Sequence, residues 1–314
     1  MFFINIYYII NHSIGVNINK GRIKIGKGMS IKITKMQGCG NDFVILDYDE
    51  YKKGIEENRW QDMSEAAKIL CDRNFGIGAD GFIVPNTNTD ETDIGWFFYN
   101  SDGTTAQMCG NGIRCFAKYV FDKGLVKQKE FGVKTLAGII KPKLLDDGRV
   151  RVNMSEPILE SEKIPFVPND NLKYKMSVND KIFEGTAVSM GNPHFVIFTE
   201  DEDDTLMLAQ MYGPFIEKSA EFPEKTNVEF AKILSEDKIE LRVWERGCGI
   251  TLACGTGACA TTVAGILNGL VEHSVDVKLL GGTVHIDWPG NKYDPNHDVY
   301  MTGPAEYVYT AELL

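Results

Sequence analysis

The sequence predicts a strand-rich fold with few helices, made of two similar halves. Asn41 follows a glycine and precedes the run Phe-Val-Ile, and Asn192 repeats this arrangement 151 residues later. Cys109 and Cys254, each followed by Gly-x-Gly, are 145 residues apart. Offsets that nearly agree over this length indicate an internal duplication, and the period is far longer than that of solenoid repeats.

The segment that follows Cys254 predicts how each half is built. It has no charged residue from Gly255 to Val271. Because a helix without a polar face is normally enclosed on all sides, we expect a central helix wrapped by strands. The helix after Cys109 should look alike, although Arg114 and Lys118 indicate that it is less fully enclosed.

The remaining strands and helices are predicted from the spacing of apolar residues and from the glycine, proline and capping residues between them. Alternating or continuous apolar runs predict strands and hairpins at 31–35, 43–46, 82–84, 94–99, 131–145, 150–155, 228–233 and 239–244. Asp62 or Ser64 can cap a helix that continues to Asn74. The helix after Cys109 has apolar residues at i, i+3, i+4 and i+7 and stops at Gly124. A short helix is expected at 204–212, and the Pro-bearing stretch 157–171 is the best linker candidate.

Composition excludes several classes of protein. The net charge of −11 argues against a general nucleic-acid binder, and the lack of a long apolar run argues against a membrane span. The seven cysteines show no C-x-x-C spacing. Without a secretory signal, the expected compartment is the reducing cytosol. Residues 1–29 lack the features of a signal peptide and are expected to be an extension outside the core, with Met29 as the working start.

The two cysteines suggest one site made of two halves. Asn100 precedes Cys109 by nine residues, and Glu245 precedes Cys254 by nine. Each cysteine stands at a predicted helix N-terminus, where unpaired N–H groups bind carboxylates and favour thiolate over thiol. Two such ends facing each other would clamp one carboxylate. One thiolate could then remove an α-proton while the opposite thiol delivers one, which inverts the stereocentre.

Other candidates have simpler interpretations. A lone cysteine is most often a small buried hydrophobe, and this interpretation applies to Cys71, Cys115 and Cys259. Cys39 and Cys248 are expected to have no role. His194 could line the site or be a polar turn group, and the two interpretations carry equal weight. The run Gly-Ile-Gly-Ala-Asp-Gly at 76–81 lacks the context of a phosphate loop and is predicted to be a turn.

Taken in order, the motifs resemble those of the diaminopimelate epimerase family over about residues 30–314. They are Met36-Gln-Gly-Cys-Gly-Asn-Asp-Phe, Phe75-Gly-Ile-Gly-Ala-Asp-Gly, Phe98-Tyr-Asn-Ser-Asp-Gly, Met108-Cys-Gly-Asn-Gly-Ile-Arg-Cys, Gly191-Asn-Pro-His, Thr226-Asn-Val, Glu245-Arg-Gly, Ala253-Cys-Gly-Thr-Gly-Ala and Met301-Thr-Gly-Pro-Ala. The sequence departs from the family's pattern in two ways. Ile250 stands where the family commonly has Glu, and Cys39 and Cys248 occupy loop positions that need not be cysteine.

The resemblance implies an α+β fold of two similar domains, each a barrel-like roll around a central helix, with the active site in the cleft between them. The domains would comprise 30–153 with 301–314, and 154–300. The implied protein is a cytoplasmic, homodimeric isomerase of lysine and peptidoglycan precursor synthesis that needs no cofactor or metal. Its partner would be a small-molecule substrate, with no nucleic acid and no membrane.

The resemblance also implies site residues. Cys109 and Cys254 would be the acid/base pair, and His194 a possible site-lining residue. The backbone that would hold the reacting carboxylate lies at Gly110, Asn111, Gly255 and Thr256. The side chains that would recognise the substrate are Asn41, Asn100, Asn192, Asn227, Glu245 and Arg246. A distal carboxylate suits the guanidinium of Arg246, and an ammonium group suits acceptor oxygens.

The sequence leaves four alternatives to the diaminopimelate epimerase interpretation. Proline and hydroxyproline racemases share the two-cysteine plan, but they have His where this chain has Asn111. A phenazine-synthesis-type isomerase would lack the cysteine pair. A redox or metal-binding protein would need its thiols close together without a ligand between them. A pure binding module would keep the cleft but exchange no protons.

Overall fold

The computed structural model describes residues 30–105, 108–179 and 181–313, which form two β-sheets and five α-helices. The predicted N-terminal extension, residues 1–29, lies outside the described residues. None of the helices within these ranges is long and apolar enough to cross a membrane.

The first sheet has the strand order β18-β1-β2-β3-β4-β5-β6. Its strands are β1 (Ile31–Gly38), β2 (Asn41–Ile45), β3 (Gly81–Asn86), β4 (Ile94–Asn100), β5 (Val133–Thr135), β6 (Gly138–Ile140) and β18 (Glu306–Leu313). The last strand, β18, pairs with β1 in antiparallel fashion. The end of the chain therefore returns to the first half, as the resemblance implies.

The two faces of the first sheet bury different helices. Helices α1 (Tyr48–Glu56) and α2 (Met63–Cys71) pack on one face, and α3 (Gly110–Asp122) packs on the other. Side chains alternate along a strand, so Val44 of β2 joins the apolar cluster around α2 while its neighbour Phe43 joins the cluster around α3.

The second sheet has the order β7-β8-β17-β16-β15-β13-β12-β11-β10-β9, with β14 paired to β13. Its strands are β7 (Lys143–Leu144), β8 (Val150–Asn153), β9 (Tyr174–Val178), β10 (Lys181–Ser189), β11 (Pro193–Phe198), β12 (Asn227–Ser235), β13 (Lys238–Glu245), β14 (Gly249–Ile250), β15 (Ser274–Lys278), β16 (Thr283–Asp287) and β17 (Tyr300–Gly303). Helix α4 (Thr205–Ile216) packs on β12 and β13, and α5 (Gly255–Leu267) packs on β10, β11 and β16.

The arrangement of β1 to β6 recurs in β10 to β16, which confirms the internal duplication. In each half an antiparallel hairpin is followed by a parallel pair, β2 with β3 and β11 with β12. The hairpin turns hold Gly40 at φ +83° and Gly191 at φ +89°. The central helices each have 13 residues, and Gly124 and Gly269 follow them at the same φ of +69°, a left-handed conformation that suits glycine after a helix.

The strands β7, β8 and β17 connect the two halves. β8 packs on α3, so α3 lies between the first sheet and one end of the second. β17 pairs with both β8 and β16. The domain division at 153/154 and 300/301 stays a prediction, and the second sheet runs across both borders.

Most predicted elements are confirmed, with differences at their ends. Every residue from Gly257 to Gly265 is buried, so α5 is enclosed as predicted. Asp62 caps α2 through a bond from the Glu65 N–H, but the helix ends at Cys71 rather than Asn74. Helix α4 continues four residues beyond the predicted end. The sequence did not predict α1 because that helix is largely polar, with only Gly54 buried.

Helix α3 is less enclosed than α5, as expected, with Lys118 half-buried and Asp122 exposed, but the expectation is wrong for Arg114. Arg114 is 0% exposed. Its guanidinium donates to Asn111 Oδ1 at 2.9 Å, to the Gly110 carbonyl at 3.2 Å and to the Pro304 carbonyl at 3.1 Å. A buried cation is tolerated when its donors are paired, so Arg114 ties the first turn of α3 to the segment between β17 and β18.

We expect Arg114→Met to lower the free energy of unfolding by about 3 kcal/mol, because each buried acceptor left unpaired costs about 1–3 kcal/mol. Urea denaturation followed by circular dichroism measures the change. The matched control on the same helix is Lys118→Met, whose half-buried cation pairs with Asp122 at 3.1 Å and should contribute less than about 1 kcal/mol. Equal losses in the two variants would contradict the anchoring role of Arg114.

Candidate active site

Cys109 and Cys254 are the N-cap residues of α3 and α5. Each Sγ accepts a hydrogen bond from the backbone N–H three residues further on, at 3.4 Å, from Gly112 and Gly257 respectively. A side chain that accepts from the first turn is the usual way to satisfy one of the unpaired N–H groups of a helix. The prediction that each cysteine stands at a helix start is therefore confirmed.

The two helix starts lie next to each other around Met301. A Cβ atom on Gly110 would stand 2.8 Å from Met301 Cε, and one on Gly255 would stand 3.2 Å from the same atom. Asn111 Nδ2 also donates to the carbonyl of Ala253 at 3.3 Å, which joins the start of α3 to the residue before Cys254. The structure thus brings the two cysteine-capped ends into one place.

Asn41 and Asn111 surround the Cys109 thiol. Asn41 Oδ1 accepts from Cys109 Sγ at 3.7 Å and from Asn111 Nδ2 at 3.2 Å. Asn41 Nδ2 donates to Asp80 Oδ2 at 2.7 Å, and Arg73 donates to the other oxygen of Asp80 at 2.7 Å. Asp80 therefore determines that the carbonyl side of the Asn41 amide faces the thiol. The predicted turn at 76–81 contributes this carboxylate.

Thr256, Asn192 and Glu245 lie around Cys254. Thr256 Oγ1 is 3.6 Å from Cys254 Sγ and accepts from Asn192 Nδ2 at 3.4 Å. Glu245 accepts a short hydrogen bond from the Thr251 hydroxyl. Burial raises the pKa of the Glu245 carboxyl, against the opposing effects of Thr251, His194 and the Cys254 thiol.

Burial dominates the ionisation of both thiols. It raises the pKa of Cys109, against the lowering effect of the N–H groups of Gly112 and Asn111. Burial also raises the pKa of Cys254, well above its usual range, and the negative charges of Glu245 and Glu229 add to the shift. The expected preference for thiolate at a helix start is present as a contribution, but it is outweighed. Cys254 is the harder of the two thiols to ionise.

The other predicted residues form hydrogen bonds with neighbours other than the two cysteines. Asn227 is buried, donating to the Pro193 carbonyl at 2.8 Å and accepting from the Arg246 N–H at 2.9 Å. The Arg246 side chain is exposed and donates to the Glu224 carbonyl. Asn100 bonds to Thr104, and its hydrogen bonds to the described residues do not connect it with either thiol.

His194 is a buried strand residue and not an exposed turn group. It lies in β11 and is 0% exposed. Its Nδ1 is 2.7 Å from Glu229 Oε1, and its Nε2 is 3.1 Å from Asn192 Oδ1. The buried imidazole therefore contacts Asn192, one of the predicted substrate-recognition residues.

Sequence reasoning missed Glu229, Asp80 and Met301. Glu229 is 0% exposed in the middle of β12. A charged residue between Val228 and Phe230, within the short run Val-Glu-Phe-Ala, was a signal that could have identified it. Nothing in the sequence around Met301 predicts its position between two helix ends. Within the described ranges, no three His, Cys, Asp or Glu side chains lie close enough to hold a metal ion.

Comparison with known proteins gives close relatives over most of the chain. The family model described as diaminopimelate epimerase matches residues 33–160 and 186–308. The diaminopimelate epimerase of Heliobacterium modesticaldum is 43% identical over 290 residues, which cover 90% of this chain and 99% of the relative. That of Desulfitobacterium hafniense is 46% identical over 290 residues, covering 90% of this chain and 98% of the relative.

Solved structures share the architecture at low identity. A probable proline racemase from Agrobacterium radiobacter has a TM-score of 0.63 at 13% identity, covering 90% of this chain and 93% of that one. A phenazine biosynthesis protein from Bacillus anthracis has a TM-score of 0.61 at 14% identity, covering 91% and 99%. These likenesses confirm the predicted fold class. The family model and the relatives at 43% and 46% identity establish that this chain belongs to the diaminopimelate epimerase family of isomerases.

Proposed function

We propose that the protein interconverts LL- and meso-diaminopimelate by proton transfer between two cysteines, without a cofactor. The observation that carries the proposal is the pair of cysteine-capped helix starts that meet at Met301. The reaction inverts one α-carbon, which requires a base on one face of that carbon and an acid on the other. Two thiols on neighbouring helix ends provide these groups from one residue type.

The proton transfer is balanced between the two thiols. In one direction the Cys109 thiolate accepts the α-proton as the Cys254 thiol donates its own proton to the opposite face, and the reverse direction exchanges the roles. The reacting pair therefore holds one proton, and its titration belongs to the pair. Asn41 Oδ1 accepts from the Cys109 thiol, and Thr256 Oγ1 lies beside the Cys254 sulfur.

The helix starts also provide the carboxylate site in this proposal. The first N–H groups of a helix have no partner within the helix, and those of Gly110 with Asn111 and of Gly255 with Thr256 stand at the two starts. Anions are stabilised there by the N–H groups and by the helix dipole. Negative charge that develops on the carboxylate as the α-proton leaves would be stabilised from both sides.

Recognition of the distal end of the substrate is assigned to the second sheet and to Asn100. The exposed guanidinium of Arg246 is available for a carboxylate, and Asn227 holds the backbone of that residue in place. Glu245 adjoins Arg246 in sequence and can accept from an ammonium group. Asn192 approaches the start of α5 through Thr256. These roles remain part of the proposal.

The racemase alternative is less well supported. The proline racemase structure is similar at 13% identity, whereas curated diaminopimelate epimerases are 42–46% identical over most of the chain. Asn111 also fills its place fully, bonding to Asn41, to Ala253 and to Arg114. A neutral His in this position has one donor and one acceptor, so it would lose the second of the two hydrogen bonds that Asn111 Nδ2 donates.

The localisation, the domain division and the oligomeric state are also part of the proposal. We infer a cytoplasmic enzyme with two domains, one comprising residues 30–153 plus 301–314 and the other residues 154–300.

We also propose a homodimer formed through β18, an edge strand of the first sheet in the described part of the chain. Tyr307, Val308 and Tyr309 on this strand are 40%, 52% and 42% exposed. An exposed apolar edge of this length is a surface on which a second strand can pair.

The two-base mechanism predicts that LL-diaminopimelate in deuterated water, without added pyridoxal phosphate, gains deuterium at one α-carbon. Cys109→Ala and Cys254→Ala should each lower epimerisation by at least about 100-fold, the usual effect of a general acid or base. Mass spectrometry and chiral chromatography measure exchange and inversion. The control is Cys248→Ala, which removes an exposed thiol of the same loop region and should keep full activity. Full activity in either of the first two variants contradicts the proposal.

The thiol environments predict an order of ionisation. Because the pKa of each thiol is raised, and that of Cys254 more strongly, both should be protonated near neutral pH in the free protein. Alkylation by iodoacetamide should therefore increase as the pH rises, with the midpoint for Cys254 above that for Cys109. Peptide mass spectrometry reads both residues in one sample. A lower midpoint for Cys254 would show that the charges of Glu245 and Glu229 do not act on it.

The dimer proposal predicts that Val308→Lys converts the protein to a monomer, because a lysine on an edge strand opposes pairing with a second edge. Size-exclusion chromatography with light scattering measures the mass. Val167→Lys, which changes another exposed valine, 66% exposed, is the control and should leave the mass unchanged. A wild-type monomer, or a dimer that survives Val308→Lys, would contradict this interface.

A further inference from the structure

Glu229 and His194 form a fully buried pair behind the first turn of α5. Both side chains are 0% exposed, and the carboxylate oxygen lies 2.7 Å from the imidazole Nδ1. β11 and β12 are parallel, with Val196 opposite Glu229. His194 and Glu229 therefore lie on the same face of the sheet, and this face packs against α5. The proton transfer described above does not use Glu229.

The carboxylate also touches the helix start itself. A Cβ atom on Gly257 would stand 2.9 Å from Glu229 Oε1. Gly257 is the residue whose N–H donates to Cys254 Sγ. The absence of a side chain at Gly257 thus allows the carboxylate to reach the backbone that holds the thiol.

The contribution of the Glu229–His194 pair to stability does not explain why Glu229 is buried. Glu229 Oε2 is buried and has no hydrogen-bond partner among the described residues. Burial raises the pKa of the Glu229 carboxyl, against the lowering effect of His194. An unsatisfied buried carboxylate oxygen is costly, and such groups in native structures call for a reason other than stability.

The hydrogen-bond partners determine where the protons are. Asn192 donates through Nδ2 to Thr256, so its Oδ1 faces His194 Nε2. An amide oxygen only accepts, which places a proton on Nε2. A neutral imidazole then has a lone pair on Nδ1, and the next proton is shared between Nδ1 and the Glu229 carboxyl. In either location of that proton, Nε2 remains a donor.

We propose that Glu229 is a positioning residue, which holds His194 with its Nε2 proton directed at Asn192 and so determines which side of the Asn192 amide faces α5. The chain of contacts runs from Glu229 through His194, Asn192 and Thr256 to Cys254. The effect on catalysis rests on the proposed function, in which Asn192 contacts the substrate. The effect on His194 does not depend on it.

Replacing the carboxyl by an amide removes this control while it keeps the shape. The amide of Glu229→Gln can donate to Nδ1 or accept from it, so it permits both neutral tautomers of His194. In the tautomer protonated at Nδ1, Nε2 becomes an acceptor. Asn192 then has to turn its amide over and present oxygen to Thr256 and the substrate.

The first test is the protonation of His194, measured by nitrogen-15 NMR of labelled histidine, with the His194→Gln variant to assign its signals. In the wild-type protein Nε2 should be protonated throughout the neutral range. In Glu229→Gln the signals should show a mixture of the two tautomers. A wild-type Nε2 without a proton, or an unchanged tautomer in Glu229→Gln, would overturn the proposal, and the wild-type measurement decides even if the variant does not fold.

The second test is kinetic. Glu229→Gln should raise KM for diaminopimelate about 10-fold, the effect of one misdirected hydrogen bond to a charged group, and lower kcat by less than about 3-fold because both thiols remain. Thr262→Val, which changes a buried hydroxyl of α5 with no partner in the described residues, controls for general effects on the helix. Unchanged KM, or equal losses in the two variants, would contradict the positioning role.

A double-mutant cycle tests whether Glu229 acts through His194. If it does, Glu229→Gln should raise KM no further in a His194→Gln background. Additive effects would overturn the proposed chain of contacts. If the protein showed no epimerase activity at all, the proposed function would fail, but the NMR result would still decide the role of Glu229.

Discussion

The structure depends on one recurring interaction, the hydrogen bond from a helix N–H to a cysteine that caps the same helix. It occurs once in each half, at Gly112 and at Gly257. The bond requires a sulfur at the very start of the helix. At Gly257 the lack of a side chain matters as well, because a Cβ atom there would stand 2.9 Å from Glu229 Oε1 and 3.2 Å from Cys254 Sγ. The enclosed helices, the sheets around them and the contact at Met301 together hold these two starts in one place.

The thiols are subject to two opposing effects. The helix N-terminus stabilises a thiolate, and burial destabilises it. Burial prevails in the free protein for both residues, with the carboxylates of Glu245 and Glu229 adding to the effect at Cys254. An enzyme that uses one cysteine as base and one as acid needs one proton to remain on the pair. Because the pKa of each thiol is raised, the free protein carries two protons on the pair, and one of them has to leave before the reaction begins.

Charged side chains around the site form hydrogen bonds that orient the asparagine amides next to the two cysteines. On the side of Cys109, Arg73 and Asp80 determine the orientation of the Asn41 amide, and Arg114 holds Asn111. On the side of Cys254, Glu229 and His194 stand in the same relation to Asn192. An amide can turn over at little steric cost, so a charged neighbour behind it is an effective way to keep one orientation.

The amino-acid sequence alone was enough to predict the duplication, the helix starts at the two cysteines and the enclosure of α5, because these follow from local spacing, capping chemistry and the lack of charge. It identified the family through ordered motifs. The folded structure was needed to show that Arg114 is buried, that Met301 lies between the helix starts and that Glu229 contacts His194. Each of these contacts joins residues distant in the chain, and whether a charged side chain is exposed or paired depends on partners that local patterns do not reveal.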